Sequence, residues 1–250
     1  MSLHHFDAQL ALLNDVANAV ADAVRGITDL GPSGQRDGQY ALDLVADEAA
    51  LAVLRSAGVN ILSEESGTEH AGSDFTVIVD PIDGSTNFSR GIPWYATALC
   101  LVDGDGPSSA LVVNQASGVR YWATRGGPAF RNGVALQATA CNDLSRAIIG
   151  LNGQPPQRFG YEQARAFGAA ALDLCLVAEG ALDAFVDCAS EAHGLWDYAA
   201  SVLICRQAGA VVVDAFDRDL NTMRHDLRRT PIAAGTEDLL NTLVSIRRTM

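Results

Sequence analysis

The stretch from residue 75 to residue 87 constrains the fold of this chain more than any other. Residues 75–79, Phe-Thr-Val-Ile-Val, are aromatic and β-branched, which predicts a buried strand that ends at Asp80. The acidic turn Asp80-Pro81-Ile82-Asp83-Gly84 follows, and Ser85-Thr86-Asn87 are residue types that begin helices. The fold must therefore contain a buried strand, a tight acidic turn and the start of a helix in direct succession.

This turn combines two kinds of ligand-binding group. Asp80 and Asp83 can face one pocket, and carboxylate oxygens are the ligands that Mg²⁺ prefers in proteins. Gly84 permits close approach of the backbone, and free N–H groups at a helix start attract phosphate. Asp-Pro and Asp-Gly are also common turn dipeptides. That structural interpretation explains either pair alone but explains both within one turn poorly.

Further acids stand at the ends of other predicted elements. Glu64 follows a short predicted strand at 59–62, and Asp197 opens a strongly apolar helix. Taken alone, Glu64 indicates a solvated loop and Asp197 indicates a helix N-cap. Their interest is that each supplies another carboxylate. Asp43 and Asp47 are four apart and share a helix face. His193 is either a ligand or, as we favour, a loop histidine without a role in the site, whereas His225 looks incidental.

The charge of the chain bears on its partners. A formal net charge of -13 argues against nucleic-acid or acidic-membrane surfaces, which require basic patches. An acidic protein also repels a phosphate ester unless its carboxylates hold cations, so acidic clusters and an anionic substrate together point to metals. No segment approaches the roughly 20 apolar residues that span a bilayer, and no signal peptide is visible, so we expect a cytoplasmic protein.

The remaining patterns exclude several chemistries. The five cysteines are widely spaced without a CxxC pair, so neither a zinc site nor a disulfide framework is predicted. We find no Walker glycine loop, no GxGxxG and no Ser-His-Asp order. The acids instead predict a magnesium-dependent phosphomonoesterase, in which bound Mg²⁺ activates water and stabilises the leaving alkoxide.

Periodicity predicts an α+β chain of layered helices and sheets. We expect an N-terminal α+β subdomain at 1–140 with the metal motif and a C-terminal α/β subdomain at 141–250, together one compact catalytic unit. The predicted helices are 6–25, 42–56, 162–179, 196–208 and 239–248. The predicted strands are 59–62, 75–79, 95–102, 110–113, 119–123, 184–187, 211–214 and 232–234, with a turn-rich hairpin at 125–133 and a loop at 26–39.

Two long motifs in this order resemble the inositol monophosphatase family of Mg²⁺-dependent, lithium-sensitive sugar phosphatases. The first is Asp80-Pro81-Ile82-Asp83-Gly84-Ser85-Thr86-Asn87-Phe88. The second is Trp196-Asp197-Tyr198-Ala199-Ala200, followed by Gln207-Ala208-Gly209-Ala210. Glu64-Glu65-Ser66 is similar to the acidic loop of the family, and residues 125–133 are similar to its glycine-rich hairpin.

The resemblance implies a five-layered αβαβα sandwich, usually a homodimer, that binds two or three Mg²⁺ ions. It implies that the metals are held by Glu64, Asp80, the carbonyl of Ile82, Asp83 and Asp197. Glu64 and Ser85, helped by Asp47, would orient the attacking water, and the amides of Gly84 and Ser85 would hold the phosphate. The residues implied to contact the substrate are Asp83, Gly84, Ser85, Gly168, Ala169, Ala170, Asp197 and an acid after Phe185.

The chain departs from the family pattern where substrate choice is made. Asp43-Leu44-Val45-Ala46-Asp47 is shorter than the usual segment and lacks its threonine. The resemblance therefore does not decide whether Asp47 supports a third metal ion. An insertion before Trp196 leaves either Asp187 or Glu191 as the polyol-binding acid, and Ala169 lacks a hydroxyl. We expect a small phosphorylated polyol or sugar, inositol monophosphate first. The alternatives are histidinol phosphate, fructose 1,6-bisphosphate, or a non-catalytic binding protein of the same fold.

Overall fold

The computed structural model describes residues 3–36 and 38–250, which form six α-helices and thirteen strands in two sheets. The helices are α1 (Leu3–Val24), α2 (Ala41–Ala57), α3 (Ser85–Ser89), α4 (Ala170–Ala178), α5 (Leu195–Gln207) and α6 (Glu237–Arg247). The strands of the first sheet are β1 (Asn60–Ser63), β2 (Gly67–Glu69), β3 (Thr76–Asp83), β4 (Ala96–Asp103), β5 (Gly106–Asn114), β6 (Arg120–Thr124), β7 (Ala129–Arg131) and β8 (Val134–Ala135). Those of the second are β9 (Ile148–Asn152), β10 (Gln163–Arg165), β11 (Ala184–Asp187), β12 (Val211–Asp214) and β13 (Pro231–Ala234).

The elements stack in five layers, which confirms the αβαβα sandwich. The first sheet has the order β2-β1-β3-β4-β5-β6-β7-β8, and the second has the order β10-β9-β11-β13-β12. Helices α1 and α2 cover the outer face of the first sheet, α4 and α5 lie between the sheets, and α6 covers the second sheet. Three hydrophobic cores fill the spaces between these layers, so the middle helices are enclosed on both sides.

The outer helix pair follows directly from the amphipathic pattern of the sequence. In α1, Leu13, Val16 and Val20 recur at helical spacing and are fully buried. The second helix begins where the Asp43 carboxylate accepts a hydrogen bond from the Tyr40 N–H. It ends at Gly58, whose φ of 67° forms a left-handed cap. Both helices therefore agree with the prediction to within a few residues.

Helix α5 is apolar almost all round because two layers cover it. Trp196, Tyr198, Val202 and Ile204 point to different sides of the helix, and each is nearly fully buried. Its neighbour α4 is held beside it by the Ser201 hydroxyl, which donates to the Ala171 carbonyl at 2.7 Å. The helix that carries Asp197 is thus fixed at the centre of the molecule.

Several predicted elements need correction. The predicted helix 162–179 is wrong in its first half, where β10 pairs in parallel with β9 and Gly168 adopts a φ of 86° before α4 begins. Strands β2 and β9 were not predicted, and β3 continues through Asp83 rather than ending at Asp80. The predicted strands 95–102, 110–113 and 119–123 are confirmed as β4, β5 and β6, which pair as an antiparallel meander.

The two sheets divide the sequence near the predicted boundary, although the helices do not. All strands of the first sheet lie before residue 140 and all strands of the second lie after it. Helices α4 and α5 nevertheless pack against both sheets, so the division into subdomains stays a prediction. Among the described helices, none combines the length and apolar character that crossing a bilayer requires.

Candidate active site

Three carboxylates meet where β1 ends beside the middle of β3. The two strands are parallel, with Ser63 opposite Val79, and the Glu64 N–H donates to the Val79 carbonyl at 3.2 Å. Glu64 therefore leaves β1 beside Asp80 of β3. Asp197 reaches the same point from the first turn of α5. Glu64, Asp80 and Asp197 offer carboxylate oxygens that all lie within 4.8 Å of one another.

A β-bulge interrupts β3 between the two aspartates of the first motif. Asp80 and Asp83 are paired with β4 residues that flank Thr97 alone, so Pro81 and Ile82 together oppose one residue. Pro81 lacks an N–H for the ladder, and its carbonyl accepts a hydrogen bond from the Thr97 hydroxyl at 2.8 Å. Pro81 therefore lies where the ladder between β3 and β4 is interrupted.

The bulge changes which face of the sheet the next side chains occupy. In a regular strand Ile78, Asp80 and Ile82 would share one face, and Asp83 would point away from it. Ile78 packs in the core beneath α4 and α5, but Ile82 packs in the opposite core beneath α1 and α2. Asp83 consequently faces α4, where the Ala171 N–H donates to its Oδ2 at 2.7 Å. Both aspartates thus point into the middle of the molecule.

The cluster is buried and carries like charges. Asp80 is 1% exposed, and neither of its carboxylate oxygens has a hydrogen-bond partner among the described residues. Burial, followed by the charges of Glu64 and Asp83, raises the pKa of Asp80 well above its usual value. Burial and Asp197 likewise raise the pKa of Glu64 and of Asp83. Buried acids require a proton or a cation, and unpartnered oxygens on hard ligands suit a divalent metal ion, which these residues could hold.

The turn after Asp83 packs closely against the loop before α4. Gly84 has a φ of 89°, and a Cβ placed there would lie 3.1 Å from both the Trp94 carbonyl oxygen and the Ala169 Cβ. The Asn87 amide donates to the carbonyls of Trp94 and Phe167, each at 2.7 Å. The structure thereby brings Gly168 and Ala169, two of the three predicted substrate-facing residues, against the metal motif. Ala170 lies between Ala169 and Ala171, and the Ala171 N–H donates to Asp83.

The two acids of α2 support the site in different ways. The Asp47 carboxylate accepts hydrogen bonds from the hydroxyls of Ser63 and Ser66, on either side of Glu64. It thus supports the loop that carries Glu64, and its predicted role in orienting water stays a prediction. Asp43 is the acid of this helix that interacts with Ser85, and burial raises its pKa to about 7. The sequence indicated only that the two acids share a helix face.

Asp187 and Glu191, the alternatives for the polyol-binding acid, lie in different surroundings. Asp187 is 0% exposed, and its Oδ1 accepts hydrogen bonds from the Asn152 amide at 2.9 Å and the Ala189 N–H at 3.0 Å. Glu191 is exposed and forms an ion pair with Arg218 at 3.1 Å. Which acid contacts substrate stays a prediction; burial favours a supporting role for Asp187.

Two histidines that were not predicted to belong to the site lie beside the acidic cluster. The Nε2 of His225 lies 3.1 Å from the Glu64 carbonyl oxygen, and its ring lies 4.6 Å from the Trp196 ring. His193 lies between Asp187 and Asp197; burial lowers its pKa, but the two acids outweigh burial and raise it to about 9. Neither histidine belongs to a periodic pattern, so tertiary structure alone identifies them.

The buried acids predict how the stability of the metal-free protein depends on pH. Burial raises the pKa values of Asp43 and Asp173 to about 7, whereas both are about 3.9 in the unfolded chain. The folded state therefore retains protons that the unfolded state has released, and this stabilisation is lost as pH rises from about 4 through about 7. We expect the Tm of chelator-treated protein to fall by at least about 5 °C between about pH 5.5 and about pH 8.

Calorimetric scans measure this fall directly, and Asp173→Asn should make it shallower because the amide does not titrate. A Tm that stayed constant or rose over this interval would contradict the assignment of raised pKa values to the buried acids.

The fold and the site together define a layered αβαβα protein whose centre holds an acidic cluster, from β1, β3 and α5, that could bind metal. Residues 4–249 match the inositol monophosphatase family. The chain belongs to that family. The family of the chain shows that it is a phosphoric monoester hydrolase.

Individual relatives agree with this assignment over nearly the whole chain. The fructose-1,6-bisphosphatase/inositol-1-monophosphatase of Archaeoglobus fulgidus is 34% identical over 242 residues, covering 92% of this chain and 94% of the relative. The inositol-1-monophosphatase of Mesorhizobium japonicum is 33% identical over 234 residues, covering 83% and 86%. A solved structure from Pyrococcus horikoshii, described as similar to inositol-1 monophosphatase, has a TM-score of 0.82, 28% identity and 96% coverage of both chains.

Proposed function

We propose that this protein is a Mg²⁺-dependent phosphomonoesterase that hydrolyses a small phosphorylated polyol or sugar, with inositol monophosphate as the first candidate. The observation that carries the proposal is the meeting of Glu64, Asp80 and Asp197 within 4.8 Å, from three separate elements. Asp80 supports it most strongly, because its two buried oxygens lack a protein donor among the residues described.

In this proposal the metal ligands are Glu64, Asp80, the Ile82 carbonyl, Asp83 and Asp197, and two or three Mg²⁺ ions bind. When bound, Mg²⁺ lowers the pKa of water and stabilises negative charge on the phosphate and the leaving oxygen. The bulge at Pro81 supports the proposed role of Ile82, because it removes this residue from the regular pairing of β3 with β4.

The other side chains would orient the reactants. Glu64 and Ser85 hold the attacking water, and Asp47 assists by fixing the hydroxyls of Ser63 and Ser66 around the Glu64 loop. The amides of Gly84 and Ser85 would hold the phosphate; the left-handed conformation of Gly84 supports this, because such turns are typical of backbone anion sites. Gly168 to Ala170 line the polyol side.

A bisphosphate sugar is the second candidate substrate. The Archaeoglobus relative is named for both fructose 1,6-bisphosphate and inositol 1-phosphate, so the same kind of site is associated with either name. Ser85-Thr86 resembles the inositol branch more than the histidinol-phosphate branch, so histidinol phosphate ranks behind both of these substrates. We further propose a cytoplasmic homodimer that lithium inhibits.

Release of inorganic phosphate from a substrate panel tests the proposal. The panel contains inositol 1-phosphate, fructose 1,6-bisphosphate and histidinol phosphate, each with Mg²⁺, with EDTA, and with EDTA followed by excess Mg²⁺. We expect turnover that EDTA lowers by at least about 100-fold and that Mg²⁺ restores, since the bound cation supplies several kcal/mol of charge stabilisation.

The rank order of kcat/KM in the panel identifies the substrate class. Higher kcat/KM for fructose 1,6-bisphosphate would replace inositol monophosphate by the second candidate. Hydrolysis that persisted after exhaustive chelation would contradict the metal-dependent mechanism, and absence of hydrolysis with metal bound would favour a non-catalytic binding protein.

A further inference from the structure

His193 occupies a position between two acids, one of which belongs to the acidic cluster. The residue is 7% exposed, and Nδ1 lies 3.5 Å from Oδ2 of Asp197. On the other side of the ring, Nε2 lies 3.7 Å from Oδ2 of Asp187. These separations are those of ion pairs rather than of hydrogen bonds. The imidazole therefore joins the end of β11 to the start of α5.

The contact between His193 and Asp187 accounts for two otherwise unpartnered atoms. His193 Nε2 and Asp187 Oδ2 are both buried and have no hydrogen-bond partner among the described residues. The other oxygen of Asp187 is held by Asn152 and Ala189, so this carboxylate has a fixed orientation. A buried acid held on one side and aimed at an imidazole on the other is typical of the outer partners that orient metal-site side chains.

The Asp197 carboxylate is held from the same direction. Its Oδ2 accepts a hydrogen bond from the Gly194 N–H at 2.6 Å, next to the Nδ1 of His193. A Cβ on Gly194 would lie 2.4 Å from the buried Trp196 ring, so the glycine allows this segment to pack directly against the indole. The backbone around His193 is thus locked in place, and Oδ2 of Asp197 is restrained on one side by the protein.

We propose that His193 is a positioning residue: through its two ring nitrogens it connects Asp187 to Asp197 and fixes the orientation in which Asp197 meets Glu64 and Asp80. This inference rests on the proposed function, because it assigns Asp197 to a metal site. It gives Asp187 a role as the buried anchor of the histidine. His193 touches neither substrate nor reacting atoms in this scheme.

Calorimetric titration of the metal-free protein with Mn²⁺ alone, without substrate, tests the role of His193. We expect His193→Ala to weaken Mn²⁺ binding about 10- to 100-fold, the usual consequence of losing an outer partner of a metal ligand. His193→Gln keeps an N–H donor and should recover part of the loss. In kinetic assays the concentration of metal for half-maximal rate should rise, with KM for the phosphate ester nearly unchanged at saturating metal.

His70→Ala is the matched control, because His70 is exposed and follows β2 away from the cluster.

A double-mutant cycle separates positioning from general stability. Asp187→Asn should weaken Mn²⁺ binding by itself, and adding it to His193→Ala should cause little further loss, since the two residues act through one contact.

The outcomes are distinct for the two proposals. A folded His193→Ala variant that binds Mn²⁺ within about twofold of wild type would overturn the positioning role. If that variant does not fold, His193→Gln decides: weaker Mn²⁺ binding supports the role, and unchanged binding overturns it. If the wild-type protein binds no Mn²⁺ at all, the proposed metal-dependent function fails, and the role of His193 fails with it.

Discussion

Asp80→Asn is expected to lower kcat/KM for the phosphate substrate by at least about 1,000-fold, or about 4 kcal/mol of transition-state stabilisation. The substitution keeps the shape of the side chain but removes the charge that a hard cation requires. Asp80 has 1% exposure and two oxygens without a hydrogen-bond partner among the described residues, so both oxygens are available to a cation in the wild type. Phosphate release at several Mg²⁺ concentrations measures the effect.

The same substitution should make the metal-free protein more stable. Burial is the largest cause of the raised pKa of Asp80, and the charges of Glu64 and Asp83 raise it further. A neutral side chain at this position therefore removes repulsion from the folded state. We expect Tm near pH 8 to rise by about 2–4 °C. Asp74→Asn is the control, because Asp74 is exposed just before β3. Normal turnover in Asp80→Asn would contradict the assignment of the cluster as the reaction centre.

Gly84→Ala should damage both stability and activity. A residue other than glycine in the left-handed conformation costs about 1–2 kcal/mol. The added Cβ would also lie 3.1 Å from the Trp94 carbonyl oxygen and from the Ala169 Cβ. To relieve these contacts, the turn between Asp83 and Ser85 must move. We expect a loss of about 2–4 kcal/mol in the free energy of unfolding and at least about 100-fold in kcat.

Gly91→Ala provides a matched control for the backbone term. Gly91 has a similar φ of 70°, but a Cβ there meets nothing within 4 Å. Denaturant unfolding should therefore show a loss of about 1 kcal/mol in this variant, with kcat close to wild type. If both variants had equal stability and activity, the close packing of Gly84 against the loop before α4 would have no functional role.

Local patterns were sufficient to predict the elements that build the site. The predicted strand at 184–187 coincides with β11, and the apolar helix carrying Asp197 begins within one residue of its predicted start. These elements are buried on both sides, so composition and length identify them. The grouping of Glu64, Asp80 and Asp197 as one ligand set came from the resemblance of the motifs to a family, and the structure brings these three carboxylates together.

The parts that the sequence could not supply depend on tertiary contacts. Nothing in residues 80–83 alone shows that a bulge opposite Thr97 turns Asp83 to the same face as Asp80. Residues 163–165 are compatible with a helix, yet they form β10 because β9 offers an unpaired edge. His193 stands in an irregular segment, and only the folded chain places it between Asp187 and Asp197.

The acidic composition becomes intelligible once the site is located. A net charge of -13 opposes binding of a phosphate ester, and the cluster adds several buried acids at the point where the ester would bind. Bound cations reverse the local sign of the charge there. The composition and the geometry therefore favour the same metal-dependent interpretation.

Anomalous diffraction from crystals soaked with Mn²⁺ tests the central claim most directly. The proposed site predicts anomalous peaks between Glu64, Asp80 and Asp197, with at least one ion at about 2.0–2.2 Å from the Asp80 carboxylate. The same soak of Asp80→Asn should lose or weaken these peaks. Mn²⁺ bound elsewhere, with this cluster empty in an enzyme that hydrolyses phosphate esters, would contradict the account.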